Sequence, residues 1–486
     1  MSIQPWVIVE PPDNRGLRKV VISGKTVGSA WSSRELRKIL SRLGYPKNMD
    51  IEDPTSIHWR GGDSKVWPDH PWRRRTILLL MVTGMLASAA WHLLIGWPDA
   101  LKALTFAQRI VGIIFVLLSL LQGLAAFTAL DYYGKRQWKA SGAITIIGAL
   151  IAFPTNAILL FMWFEETEYT PYLFAFLPLL VWSIWAIFLL VREKSWHGTP
   201  HPTKFATGVA FTSVLTAVSI AYSTMYEPTA APIHFVLKTE FGTPQTSANG
   251  KYVTIPLKLY AKNDGGIPVY FINDDFTVWG RSASYSAKGE GMERWKSDTE
   301  EIGDASEAER FIREIKEEII SSGHFQGPGT ELDVGEEFVS EEVVRLPRNA
   351  KYDELEAHLE IDIMRRDRGR VDEQFGYPWY SWDKEEGNYY CPPKDCGEYV
   401  IYHGRVRHNN NMINLTRKSR YLTAFWGPEF TPDNFISSFD FKKKVLEAYQ
   451  DIDAAEVERE AERYGVSTYT TNCKIPTERI LHTFVG

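Results

Sequence analysis

Residues 76–97, TILLLMVTGMLASAAWHLLIGW, run for twenty-two positions without Asp, Glu, Lys or Arg. A helix rises about 1.5 Å per residue, so roughly 20 such residues cross a hydrocarbon core about 30 Å thick. Outward along the chain the pattern recurs at Ala107–Leu130, Ser141–Phe164, Tyr172–Val191 and Phe205–Met225. Backbone in lipid must satisfy its own hydrogen bonds, so each run is predicted to be helical, kinked at Pro154 and Pro178. The expected fold is a membrane protein with an all-α bundle of five transmembrane helices over residues 76–225. A small α+β domain over 1–75 precedes it, and a β-rich, sandwich-like α+β domain over 226–486 follows. The mean hydropathy of -0.22 conceals the apolar centre because both flanks are polar.

Charge sets the orientation. The net charge of -6 is split into about +6 on residues 1–75 and about -14 from residue 226 onward. Arg73–Arg75 precede the first span, Lys135, Arg136 and Lys139 follow the second, and Arg192, Lys194 and Lys204 follow the fourth. The alternate connections hold Asp99 and Lys102, with Arg109 at the edge of the second span, and Glu165, Glu166 and Glu168. By the positive-inside rule the N-terminus is cytoplasmic, and five crossings of the cell membrane put residues 226–486 outside. The fifth span carries Thr207, Thr212, Ser213, Thr216 and Ser219 and is the least apolar. Were it to lie on the surface, the acidic block would be cytoplasmic instead. The polar first 75 residues argue against a cleavable leader. Arg73–Arg75 and Ala87-Ser88-Ala89 imitate one, but the apolar run continues past it.

Transport chemistry places ionisable groups inside a bundle. Here the interior offers His92, Asn156 and the hydroxyls of span five. His92, between Trp91 and Trp97, fits an interfacial aromatic belt, and Asn156 beside Pro154 fits a bond to a released carbonyl. Gly84-x-x-x-Ser88 is a close-packing signal. A transporter component is accordingly the weakest of the functional readings.

Residues 17–61 read as a β-hairpin, a helix and a strand. Lys19–Ser23 and Thr26–Trp31 flank a Gly24-Lys25 turn, and Ser32-Ser33-Arg34-Glu35 is a capping box. Leu36, Ile39, Leu40 and Leu43 share one helical face; Arg34, Arg37, Lys38 and Arg42 share the other, a solvated face or one drawn to anionic lipid. Nucleic-acid binding is not expected, since no aromatic residues interleave these charges. The I-S-G-K-T-V-G-S-A-W turn and the I-H-W-R-G-G-D ending resemble the small N-terminal domains of uncharacterised actinobacterial multipass membrane proteins. That resemblance covers about the first 75 residues and the layout, and it implies no activity.

Alternating strands dominate the C-terminal block: residues 252–260, 267–272, 276–279, 355–363, 398–408 and 419–426. Phe311, Ile312, Ile315 and Ile319 form a stripe predicted to be helical, and 442–449 with 453–464 read as a terminal helical pair whose second member is solvated. Cys391 and Cys396 could close a short loop in an oxidising compartment, leaving Cys473 unpaired; three separate thiols is the other reading.

Three groups of residues could carry chemistry. Glu356, His358 and Glu360 share a strand face, as a polar outer surface or as part of a metal site. His403, Arg405 and Arg407 form a basic face suited to an anion or to pairing with that acidic strand. The segment Phe375–Tyr390 concentrates Tyr377, Trp379, Tyr380 and Trp382, with Tyr389 and the carboxylates Asp383, Glu385 and Glu386. Amphipathic rings favour half-wet surfaces, so Tyr377, Trp379, Tyr380 and Trp382 are the candidate ligand-binding residues. No nucleophile elbow, zinc-ligand helix, phosphate-binding glycine loop or paired-cysteine frame occurs, so no metal or cofactor is expected and no catalytic residue can be named. The expected function is an envelope anchor, binding or sensor protein in the lipid bilayer, presenting its exported domain to a protein or glycan partner. A membrane-bound enzyme with its active site in that domain is the alternative.

Overall fold

The structure is a computed structural model. It describes residues 7–477 except 14–15, 48, 69, 135–137, 139, 199–232, 249, 289–295, 297–311, 383–397, 428–432 and 441–453. The fifth apolar run, Cys391, Cys396 and the helix expected over 442–449 lie outside the described residues. Two compact units divide the chain: 1–226 with 410–418, and 227–409 with 419–486.

In the first unit a four-stranded sheet is ordered β3-β2-β1-β4, from β1 (Val7–Val9), β2 (Arg18–Ile22), β3 (Lys25–Ala30) and β4 (Ile57–Trp59). The hairpin turns at Ser23 and Gly24, both in the left-handed region. Helix α1 (Ser33–Arg42) is capped as its sequence dictates: Glu35 N donates to Ser32 Oγ, and Trp31 N donates to Glu35 Oε2 at 3.1 Å. Leu36 and Leu40 close the core with Val7, Val9, Val20 and Ile57. Only β1 escapes the sequence reading; three residues are too few to show a period, yet they pair with both β2 and β4.

Among the described residues, four helices are long and apolar enough to cross a membrane: α2 (Pro71–Lys102), α3 (Phe106–Tyr133), α4 (Ser141–Glu166) and α5 (Leu173–Arg192). Pro71 opens α2, where its missing N–H costs nothing, so Arg73–Arg75 fall in the first turns of that helix. Backbones of α2 and α3 approach at Gly96 and Gly112, where a Cβ on either would run into the other helix. Gly84 admits the Trp182 ring of α5, whose Nε1 donates to the Leu80 carbonyl at 3.0 Å.

Polar side chains inside the bundle bond between and along helices. His92 is fully buried, with Nδ1 at 2.8 Å from the Ser88 carbonyl and Nε2 at 3.0 Å from Thr155 Oγ1. The expected aromatic belt is therefore corrected: the turn of α2 that carries His92 faces α4, not the interface. Gln122 donates to Ser88 Oγ and to the Gly148 carbonyl, linking α3 to α2 and α4. Asn156 donates to the Ala152 carbonyl at 2.7 Å, not to Leu150, whose carbonyl loses its partner at Pro154. A short helix, α6 (Asn411–Thr416), completes this unit. Its first N–H donates to both Asp99 oxygens, Gln108 Nε2 donates to Asp99 Oδ2, and Thr170 Oγ1 donates to the Leu415 carbonyl.

The second unit begins with a sandwich. One sheet is ordered β11-β7-β5, with β6 also paired to β7; the other is ordered β10-β8-β12-β18, with β9 also paired to β8. Its strands are β5 (Phe235–Phe241), β6 (Gln245–Thr246), β7 (Tyr252–Asn263), β8 (Val269–Tyr285), β9 (Ile312–Gly323), β10 (Glu331–Leu332), β11 (Glu337–Pro347), β12 (Glu354–Arg365) and β18 (Ser467–Pro476). Alternation buries Val253, Ile255, Leu257 and Leu259 against Leu355, Ala357, Leu359 and Ile361. A bulge opposite Asp362/Ile363 shifts the register of β8, so odd-numbered Phe271 and even-numbered Phe276 both enter this core. The helix expected around Ile312–Ile319 is instead strand β9, running antiparallel to β8. Its β-branched residues fit a strand as well as a helical stripe, and the length of β8 supplies the partner.

A third sheet holds β13 (Gly369–Val371), β14 (Trp379–Tyr380), β15 (Val400–His408), β16 (Arg420–Trp426) and β17 (Asp433–Ser437). It encloses a second core of Tyr270, Ile272, Met364, Tyr402, Val406 and Leu422. Helix α7 (Ala454–Tyr464) is solvated on one face, as expected, but docks by the other. Glu460 and Tyr464 are buried, and Glu460 pairs with Arg420 at 3.3 Å and with Arg463 at 2.6 Å.

Candidate functional site

Strands β14, β15 and β16 lie side by side, and their register decides which side chains meet. Tyr380 stands opposite Val400, and Val400 opposite Trp426. Tyr402, two residues along β15, shares that face. The Trp382 ring lies 5.3 Å from that of Tyr380, and these two remain 44% and 46% exposed. Together Tyr380, Trp382 and Trp426 form an aromatic rim at one end of the third sheet.

Beneath the rim is a polar floor. His324 follows directly on β9, and its Nδ1–H donates to the Asp274 carbonyl at 2.8 Å, with Asp274 Oδ1 at 3.3 Å. A carbonyl only accepts, so Nδ1 carries the proton and Nε2 of the neutral ring accepts the Tyr402 hydroxyl at 3.0 Å. The backbone N–H groups of Gln326 and Gly327 donate to Asp274 Oδ2 and hold the carboxylate. His324 also lies 4.7 Å from the Trp426 ring and edge-on to Tyr402.

Burial lowers the His324 pKa, but the bonds and charge of Asp274 outweigh it, so the imidazole is raised above its ordinary value. Burial, then the charges of Asp274 and Tyr380, push the Tyr402 phenol up to about 12. Tyr402 therefore stays protonated at neutral pH and acts as a hydrogen-bond donor, not as a phenolate nucleophile. When His324 takes a second proton, Nε2 becomes a donor and the Tyr402 oxygen accepts from it.

The four predicted residues separate. Tyr380 and Trp382 belong to the rim, whereas Tyr377 is 72% exposed and adjoins the 3-10 turn Glu373–Gly376. Trp379 faces the other way and, partly buried, packs against the core of Ile401, Phe425 and Phe435. Asp383, Glu385, Glu386 and Tyr389 lie outside the described residues. His324, Asp274, Tyr402 and Trp426 were not singled out from sequence. The available signal was Asn273-Asp274-Asp275, two carboxylates interrupting an otherwise apolar strand.

The acidic strand face is present but differently employed. Glu360 stands opposite Asp275 and His358 opposite Thr277, with His358 Nε2 at 3.5 Å from Glu360 Oε2. Glu356 is buried and meets Arg281 and Lys474. Among the described residues no group of three or more His, Cys, Asp or Glu side chains is arranged to hold a metal. The suggested pairing of this strand with the basic face of β15 does not occur, because β12 and β15 lie in different sheets. His403 instead bonds Thr423 and stacks on Tyr421, and Arg405 donates to Ser419.

No family model matches the chain, and no curated protein matches it. Among solved structures, a Bordetella pertussis protein described as ApaA is 12% identical, covering 28% of this chain and 80% of its own, with a TM-score of 0.16. The sporulation control protein Spo0M of Bacillus subtilis is 11% identical, covering 51% of this chain and 96% of its own, with a TM-score of 0.17. At such TM-scores neither carries a fold or an activity over to this chain.

Proposed function

We propose that this protein is a five-crossing anchor of the cell envelope, with its N-terminus in the cytoplasm, that presents the β-rich unit outside as a binding or sensor module. The described helices support an odd number of crossings. Helix α5 ends at Arg192, beside Arg73 and Arg74 at the start of α2. Residues 411–416 meet Asp99 and Thr170, at the opposite ends of the helices. An α5 that ends at one end of the bundle and residues 411–416 that pack at the other support one further crossing, and residues 205–225 are the apolar run in the sequence that we assign to it.

The aromatic rim carries the binding reading. Exposed Tyr380 and Trp382, with Trp426 beside them on the same face, present π faces of the kind that suit the apolar face of a sugar ring. An envelope glycan is the ligand class we favour. Replacing Tyr380 and Trp382 together with Ala should weaken capture of purified cell-wall glycan at least tenfold in the full-length protein and leave its thermal midpoint unchanged. Unchanged capture would remove the site. Sidedness is tested by placing a Cys after Tyr226 and labelling intact cells with a membrane-impermeant thiol reagent; protection until the cells are opened would put the β-rich unit in the cytoplasm.

A further inference from the structure

At the Arg-bearing end of the bundle, a cavity of about 500 Å³ opens between the small α+β domain and the ends of α2, α3 and α5. Four cations line it: Arg73 and Arg74 from the first turns of α2, and Arg192 and Lys194 from the end of α5. Ile77 and Leu189 supply an apolar wall on the side toward the bundle. The acids nearby are engaged, since Glu193 accepts the Tyr133 hydroxyl at 3.1 Å and Asp13 accepts the Leu17 N–H at 3.0 Å. Arg73, Arg192 and Lys194, by contrast, have no ion pair among the described residues and are exposed. Arg74 is held over the Trp31 ring at 4.1 Å, and Trp31 Nε1 is anchored on the Gly134 carbonyl, so one wall is fixed in advance.

We propose that this cavity binds a phosphate-bearing anion, and that its source is the phosphodiester headgroup of an anionic membrane lipid. Three cations from two helices, none in an ion pair among the described residues, converge with Arg74 on one cavity and outnumber its two lining carboxylates, Asp13 and Glu193, and the start of α2 adds its unpaired N–H groups. The apolar wall continues directly into the membrane-length faces of α2 and α5. A headgroup seated among the cations would thus place its glycerol and acyl chains against Ile77 and Leu189, whereas a soluble phosphate would leave that wall unused. The lipid source rests on the membrane reading given above, but binding in micelles does not depend on sidedness.

The full-length protein in maltoside micelles would be titrated with dihexanoyl phosphatidylglycerol, dihexanoyl phosphatidylcholine and inorganic phosphate, followed by native mass spectrometry. Saturable binding of the phosphatidylglycerol and not of the phosphatidylcholine is expected. Arg73→Gln and Arg192→Gln should each weaken it about fivefold. Lys194→Gly separates binding from folding: Lys194 has a φ of +50°, which glycine adopts without strain. That variant should be at least as heat-stable as the parent while binding about fivefold more weakly. Saturation by inorganic phosphate alone, with the same charge dependence, would overturn the lipid source and leave a soluble phosphate as ligand. Absence of saturable binding, or binding indifferent to all three substitutions, would overturn the site.

Discussion

The helical bundle and the β-rich unit bury polar groups by opposite means. Among the described residues of the bundle, His92, Gln122, Thr128 and Asn156 are all buried, and each bonds to a hydroxyl or a main-chain carbonyl. Its buried carboxylate, Asp99, sits at the end of α2 and takes N–H donors. The β-rich unit buries ionised partners, among them Glu356, Arg420 and Glu460, together with the carboxyl of Asp275. A neutral hydrogen-bonded group has an alternative partner one turn away. A buried charge that loses its counterion has none, and the two units should therefore respond very differently to single substitutions.

The largest effect is expected at Arg420. Its guanidinium is almost wholly buried between Glu456 and Glu460, and Glu460 is itself buried. Arg420→Met should destabilise the β-rich unit by about 3 kcal/mol, since it removes the buried cation between Glu456 and Glu460 and leaves Glu460 to its pair with the partly exposed Arg463. Pulse proteolysis of the full-length protein in urea would measure it. Adding Glu460→Met should recover much of the loss; a double variant as weak as the single one would show that packing, not charge, decides.

Next in size is Asp275. Burial, then the charge of Glu360 opposite, raises its carboxyl to about 7. A carboxyl whose folded pKa exceeds its unfolded one binds more protons in the fold, so stability falls as pH rises from about 4 to about 7. Asp362, raised to about 6 chiefly by burial, acts in the same direction. Asp275→Asn should then stabilise the protein by on the order of 3 kcal/mol at pH 8 and change little at pH 4. Equal effects at both pH values would contradict the buried charge.

This contrast also explains what was legible in the sequence. The helices α2 to α5 announce themselves because lipid forbids charge along whole spans, and the strands of the sandwich because burial on one face forces a period of two. Stripes are ambiguous where β-branched residues fit both periods, as at Ile312–Ile319. The site was legible only as composition. Tyr380 and Trp382 could be named from their segment, but Trp379, one residue away, points into a core. His324, Tyr402 and Trp426 meet through strand pairings across 102 residues of sequence from 324 to 426, which no local pattern encodes. Gln122 was overlooked because one amide in an apolar run leaves the hydropathy nearly unchanged.

Gln122 gives the smallest and most discriminating prediction. Its amide donates at 2.9 Å to Ser88 Oγ on α2 and at 3.2 Å to the Gly148 carbonyl on α4, so it touches three helices. Counted as bonds, it resembles Arg420. Neither acceptor depends on it, however: the Gly148 carbonyl lies within α4 and has the helical ladder for a partner, and the Ser88 hydroxyl can turn to a main-chain carbonyl of α2. Interhelical hydrogen bonds of this kind contribute about 0.6 kcal/mol on average, because the separated helices also find partners. Gln122→Leu should therefore cost under about 1 kcal/mol by the same proteolysis, and no pH dependence should accompany it. A loss approaching that of Arg420→Met would mean that the bundle interior also rests on single indispensable contacts, and the distinction between the two units would fail.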